Sequence, residues 1–262
     1  MNFTAPVNAG GDNSIELFCA WIYPTTLTAT RCVMALQNAL MRLEVDTTTS
    51  ELRFGTNWTT DGVYITSGLG LATNEWRFIA LATAHENTGD VETVKVWAGT
   101  LQTEPAAVSV TTSVAAVGSP TSGGAMCIGN SAAAGTLAWQ GDIGEWMLML
   151  STLGAAPNNA LFMTTSGAIG AEVEDAILKR WIIPFWRGRG FGGQIVTDQT
   201  VEFLHCNMCA TAGGGVPLIY SYALAVGSRF ITPTVNGATA SAGRQPRPVC
   251  WMGVPGSEKL AA

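Results

Sequence analysis

The run His205-Cys206-Asn207-Met208-Cys209 sets three metal-binding side chains side by side. A Cys-x-x-Cys with an adjacent histidine can supply three ligands of a zinc site. A second pair at zinc spacing is absent, and only Cys250 and His85 are left to complete a site. A disulfide or a pair of buried thiols is therefore the preferred reading. Cys19, Cys32 and Cys127 lie inside apolar strand patterns and read as small buried hydrophobes.

Carboxylates come next. Glycan hydrolysis needs an acid and a nucleophile about 5 Å apart. The acidic run Glu172-Val173-Glu174-Asp175 falls in the first turn of a predicted helix, where the helix dipole accounts for it. Glu145 is a lone carboxylate and reads as structural. Asp12, Asp90 and Asp142 read as loop carboxylates that could offer oxygen to calcium, but no dense acidic loop is present. With two histidines in the chain a nucleophilic triad has little material, and no phosphate-cradling loop appears. The expectation is a protein with no catalytic residues, no cofactor and no metal.

Aromatic side chains remain, and stacking of sugar rings is chemistry they can do. Of nine tryptophans, Trp58 in the Asn57-Trp-Thr-Thr stretch is the best candidate for an exposed platform, with Asn57 and Asp61 as hydrogen-bonding neighbours. Trp21, Trp76, Trp97, Trp139 and Trp146 fall on strands and are expected in the core. Trp181 and Trp186 flank a helix end and, with Phe191, are assembly candidates that would anchor an appendage or a neighbouring chain.

The elements that must position these residues are strands. Leu137–Leu150 reads Leu-Ala-Trp-Gln-Gly-Asp-Ile-Gly-Glu-Trp-Met-Leu-Met-Leu. Strict alternation puts Trp146, Leu148 and Leu150 on one side and Ile143, Glu145, Met147 and Met149 on the other. A strand apolar on both faces belongs inside a layered β structure. Its expected partner is Ile15–Pro24, dense in aromatic and branched residues and ended by a proline. Shorter strands are expected at 31–36, 39–45, 51–54, 63–66 and 76–82, and His85–Asp90 carries hairpin-turn residues before a returning strand at 91–98. Residues 100–124 predict one more strand and a loose loop. About a dozen strands with almost no helix signal before residue 155 predict an antiparallel all-β sandwich.

After Pro157 the pattern changes. Residues 171–183 form the one convincing helix, with acids in its first turn, Lys179 and Arg180 near its end, and Pro184 as the stop. Its apolar stripe of Val173, Ile177, Leu178, Trp181 and Ile182 is expected on the sandwich flank or against another chain. Arg187–Gly193 reads as a hinge. Strands resume weakly at 200–206 and 218–225. The expected organisation is a sandwich at 1–155, a helix and glycine-rich linker at 156–193, and C-terminal strands with an extended arm at 194–262.

Composition narrows the partners. Charged residues are 12% of the 262, against roughly 25% in an average soluble protein. The net charge of −6 speaks against binding duplex nucleic acid. Hydrophobic residues reach 47%, yet no run approaches the roughly 18 to 20 needed to span a membrane. No conventional secretory signal is visible at the start. A surface rich in Ala, Thr, Ser and Gly suits packing against copies of itself or a larger particle.

Four separated pieces of the first 155 residues resemble the concanavalin A-like, laminin G-like (LamG) jelly-roll superfamily. They are the Ile15–Leu27 strand with its Ala-Trp and Pro, Trp76-Arg-Phe-Ile-Ala-Leu81, Val94-Lys-Val-Trp-Ala-Gly99, and the pair Ile128-Gly-Asn-Ser131 with Trp139-x-Gly-x-Ile-Gly-Glu-Trp-Met-Leu148. Their order and spacing fit the family's. Gly144 and Met147 depart from it, standing where an Asp and an Arg are usual. The resemblance implies a two-sheet jelly roll whose relatives mostly bind glycans or proteins, and some of which occur on bacteriophage particles. Related laminarinases carry Glu-x-Asp-x-x-Glu on a concave strand, and that pattern is missing here, so hydrolysis is the least favoured function. Fold alone leaves function open. The leading expectation is a non-enzymatic virion structural or decoration protein, assembled in the host cytoplasm with copies of itself and other virion proteins. It would hold cell-surface glycans as well, and contact neither nucleic acid nor membrane. The alternative is a stand-alone, extracellular lectin-like module.

Overall fold

The computed structural model describes residues 2–4, 14–36, 42–46, 48–55, 62–86, 91–115, 125–131, 137–152, 171–187, 201–207, 218–223 and 227–231. In chain order the strands are β1 Asn2–Thr4, β2 Ser14–Pro24, β3 Arg31–Leu36, β4 Arg42–Asp46, β5 Glu51–Gly55, β6 Val63–Ser67, β7 Arg77–Glu86, β8 Val91–Gly99, β9 Ala106–Val114, β10 Ala125–Ile128 and β11 Gly141–Thr152. A helical run follows: α1 Ala171–Ile177, a π-helical turn Leu178–Ile182, and α2 Ile183–Trp186. Three more strands close the described chain, β12 Val201–Asn207, β13 Leu218–Ala223 and β14 Gly227–Ile231. The protein is all-β and antiparallel, in the order β1-β10-β3-β4-β5-β6-β9-β8-β7-β2-β11-β12-β13-β14.

The sheet curls at β9. Residues Ala106–Val108 of β9 pair with β8, whereas Ser109–Val114 pair with β6. One strand thus belongs to two ladders in succession, and the sheet turns over along it. Both halves send side chains into one interior cluster: Val33, Leu43, Val45, Leu52, Phe54 and Tyr64 from one side, Phe18, Ile22, Ile79, Leu81, Val96, Trp146 and Leu148 from the other.

Period-two alternation does the sorting. Phe18, Ala20 and Ile22 of β2 face that interior, while Leu17, Cys19 and Trp21 face a second cluster on the flank. The flank is covered by the helical run through Ile177, Trp181, Ile182 and Phe185, which pack on Trp21, Phe78, Ala80, Ala82, Trp97 and Met147. Of the two places expected for the apolar stripe, the described part of it occupies the flank of the sheet. Glu174 pairs with Lys95 of β8 at 2.9 Å, Trp186 donates its indole N–H to the Thr100 carbonyl at 2.9 Å, and Arg187 pairs with Glu104. These contacts pin both ends of the run to the sheet.

β2 and β11 are direct neighbours, with β7 on the other side of β2. The strands carrying Trp21 and Trp146 and the residues beginning at Trp76 are therefore adjacent ribbons, as the sequence predicts. Two local expectations are corrected. Strict alternation put Ile143 opposite Trp146, but the β2–β11 register shifts between Ile143 and Trp146. The extra residue of this bulge returns Ile143 to the interior face, where it packs beside Trp146. Pro184 was the expected stop; it sits instead in the first turn of α2, where its missing N–H is tolerated, and the π-helical turn before it carries the chain through. Beyond the helix, β12, β13 and β14 extend the sheet from the free side of β11; β14 had no signal in the strand reading.

Candidate functional site: two rims of the sheet

The residues first singled out for ligand binding, Asn57, Trp58 and Asp61, fall in 56–61, outside the described residues. Their frame is described. Gly55 ends β5, Val63 opens β6, and the two pair with each other and, through Gly55, with Arg42. The Leu71 amide donates to the Ser50 carbonyl at 3.0 Å, and the Asn74 amide donates to the Pro24 carbonyl at 2.7 Å. The start of β5 and the end of β6 therefore lie on the same rim as the end of β2. Gly55 and Val63 lie at the far ends of their strands, on the opposite rim.

The rim at the end of β2 is tightly knit. The Thr25 amide donates to the Gln140 carbonyl at 2.9 Å, and Asp142 stands opposite Tyr23 in the β2–β11 ladder. Tyr23 and Trp76 are both half-buried, with ring centroids 5.3 Å apart at 55°. Thr25, Asn74, Glu75 and Gln140 are exposed around them. Asn74 holds φ +61°, a left-handed turn that its short polar side chain tolerates. The Trp139 indole donates to the Asp142 carbonyl at 3.2 Å and braces the start of β11 from the interior side.

One carboxylate on this rim has a structural duty. Glu51 is 7% exposed and accepts from four donors: the Thr66 hydroxyl at 2.6 Å and the amides of Gly68, Leu69 and Gly70 at 3.1, 3.1 and 3.2 Å. It fixes the turn after β6 in one shape. Thr66 relays the network by accepting the Leu52 amide at 2.9 Å.

A second buried carboxylate behaves differently. Glu44 of β4 is 2% exposed, next to Cys32 of β3 and Arg53 of β5 in the ladders. Arg42 Nε lies 2.5 Å from its Oε1, a pairing that acts through charge, since its angles miss hydrogen-bond geometry. Burial raises the Glu44 carboxyl above the usual carboxylate range, with Arg42 and Arg53 opposing the rise. The folded protein thus holds this proton more tightly than the unfolded chain. The resulting stability is present at low pH and is lost as pH climbs through the folded value. Urea titrations across pH 4 to 8 are expected to show Glu44→Gln falling less steeply with rising pH than wild type. Parallel curves would contradict this.

The remaining candidates place as follows. Cys19, Cys32 and Cys127 are buried free thiols, as the strand pattern predicts, and burial pushes the Cys19 and Cys32 thiols far up. Cys206 and His205 lie on β12, opposite Trp146 and Met147 of β11, while Cys209 and Cys250 fall outside the described residues. Asp12 and Asp90 fall outside them too. Among the described residues no group of three or more His, Cys, Asp or Glu is arranged to hold a metal. Trp181 is 8% exposed, packed into the flank cluster with Arg180 stacked over its ring at 5.5 Å, and Trp186 is held by Thr100. Phe191 lies outside the described residues. The Tyr23–Trp76 pair was missed because each ring, read alone, belongs to an apolar strand. The signal available was that both stand at strand ends, beside Pro24 and Asn74.

Fold and rims together define a class: an antiparallel all-β protein of one curled sheet, with its ordered turns gathered at the strand ends. No family model matches the chain, and no curated protein matches it. Among solved structures it is similar to a protein from Bacteroides ovatus described as a "putative carbohydrate binding protein". The two are 12% identical, and the match covers 92% of this chain and 59% of that one at a TM-score of 0.42. This chain therefore spans less than two thirds of that protein. A likeness at that score is too loose to assign a family or a ligand.

Proposed function

We propose that this chain is a non-enzymatic recognition module, a two-sheet jelly-roll sandwich of the concanavalin A-like, LamG-like type that binds carbohydrate at its rims. One observation carries the reading. The interior between the two halves of the sheet is filled by side chains, and the β2–β7–β8–β11 flank is sealed by the helical run. Among the described residues, what is left for a small ligand is the rim at the end of β2, where the Tyr23 and Trp76 rings stand with the exposed side chains of Thr25, Asn74 and Gln140, the chemistry suited to a polyol. A glycan array probed with the full chain is expected to show binding that Trp58→Ala weakens at least about tenfold. Absence of binding to every sugar removes the reading.

The virion structural or decoration role is the second reading, favoured by the exposed residues of β9. Ala106, Ala107, Ser109, Thr111, Thr112, Ser113 and Val114 are exposed there without one charged side chain. Such a strip suits packing against copies of the chain and other virion proteins, with the C-terminal strands and extended arm of 194–262 adding assembly contacts. The two readings are compatible, since a particle's decoration protein can hold a host glycan. Light scattering that finds only monomers, together with no recruitment to particles, would remove the assembly role and leave the glycan reading standing.

A further inference from the structure

Separate from the Trp58 candidate, we propose a carbohydrate subsite at the rim where β2 ends, with Tyr23 and Trp76 as its stacking platform and a neutral hexose or N-acetylhexosamine as its ligand. The proposal rests on the glycan-recognition reading but uses residues other than Asn57, Trp58 and Asp61.

The flank carries a continuous aromatic ladder along β2 and β7. Trp21 meets Phe78 edge-on at 5.3 Å, and Phe185 of α2 covers Phe78 at 6.1 Å. The helical run ends at Trp186, tied to Thr100. The next pair on the same face, Tyr23 with Trp76, is left half-buried where the cover stops. Two large rings at the edge of an apolar cluster, backed by it and open on one side, form a rigid surface for the apolar face of a pyranose. The polar partners a sugar needs are in the same segments: the exposed side chains of Thr25, Asn74, Glu75 and Gln140. Backbone hydrogen bonds from Thr25 to Gln140 and from Asn74 to Pro24 preset the three segments in one arrangement. A ligand therefore meets the groups already ordered, which lowers the entropic cost of binding.

The test uses the full chain, titrated calorimetrically with oligosaccharides of glucose, galactose, mannose and N-acetylglucosamine. Binding that Trp76→Ala weakens about tenfold or more, and that Trp58→Ala weakens without abolishing, supports the subsite. Because Trp76 also packs on the flank cluster, Asn74→Gly and Glu75→Gln serve as variants at exposed positions, glycine keeping the left-handed turn; each is expected to weaken binding severalfold in a folded protein. Binding untouched by all three rim variants overturns the subsite, and if Trp58→Ala then abolishes it, the glycan reading survives alone. Absence of binding to every probe overturns both.

Discussion

Gly141→Ala is expected to cost about 3 to 5 kcal/mol of stability and to leave much of the protein insoluble. Gly141 opens β11 opposite Pro24 with φ +132°, a conformation that side chains rarely adopt. A Cβ there would overlap the Tyr23 carbonyl oxygen and lie 2.9 Å from the Thr25 nitrogen and 3.0 Å from the Pro24 Cα. All three are backbone atoms, so no rotamer change relieves the clash. The strand end would have to shift, and with it the Asp142–Tyr23 register and the Thr25–Gln140 hydrogen bond. Gly68→Ala is the control: Gly68 has φ +83° but nothing within 4 Å of an added Cβ. Only the left-handed backbone is then penalised, by about 1 kcal/mol. Urea denaturation of the two variants separates collision from backbone preference; equal losses would refute the argument.

Glu51→Ala is expected to lose about 3 kcal/mol. Truncation strands the Gly68, Leu69 and Gly70 amides and leaves the Thr66 hydroxyl only the Leu52 carbonyl at 3.4 Å as acceptor. Glu51→Gln is instructive because it keeps the volume. The Gly68 and Gly70 amides reach one carboxylate oxygen, and Thr66 with the Leu69 amide reach the other. An amide NH2 in either place would confront donors, so the glutamine variant should lose at least half as much as the alanine one. A glutamine variant as stable as wild type would show that Glu51 fills space rather than gathering donors.

The strands most legible in the sequence were those with the most to bury. β2 and β11 announce themselves because apolar residues occupy both of their faces, and the structure places one face in the interior and the other under the helix. What alternation could not reveal was the bulge after Ile143. One additional residue reverses the facing of everything before it, and Gly144-Glu145 looks like ordinary strand in a linear reading. Pro184 misled for a related reason: it breaks regular α-helix, whereas the π-helical turn ahead of it lets a new turn begin. The rim aromatics were legible as residue types and illegible as a pair, since Tyr23 and Trp76 become neighbours only through the β2–β7 ladder. Glu51 was passed over for the same reason, its four donors arriving from Thr66 and the turn beyond it.

The central strand has a cost during synthesis. β2 is translated well before its partner β11 and the helix that shields its outer side; Ile22 must wait for its ladder partner Ile143, and the Trp21 face for Phe185. Until then the nascent polypeptide exposes a sticky, β-prone segment whose early ladder partner is β7 and whose early packing comes from β3 to β6. Closing so long a loop makes folding slow. Yield in a recombinant host should therefore depend on chaperone supply and growth temperature more than on the stability of the finished protein.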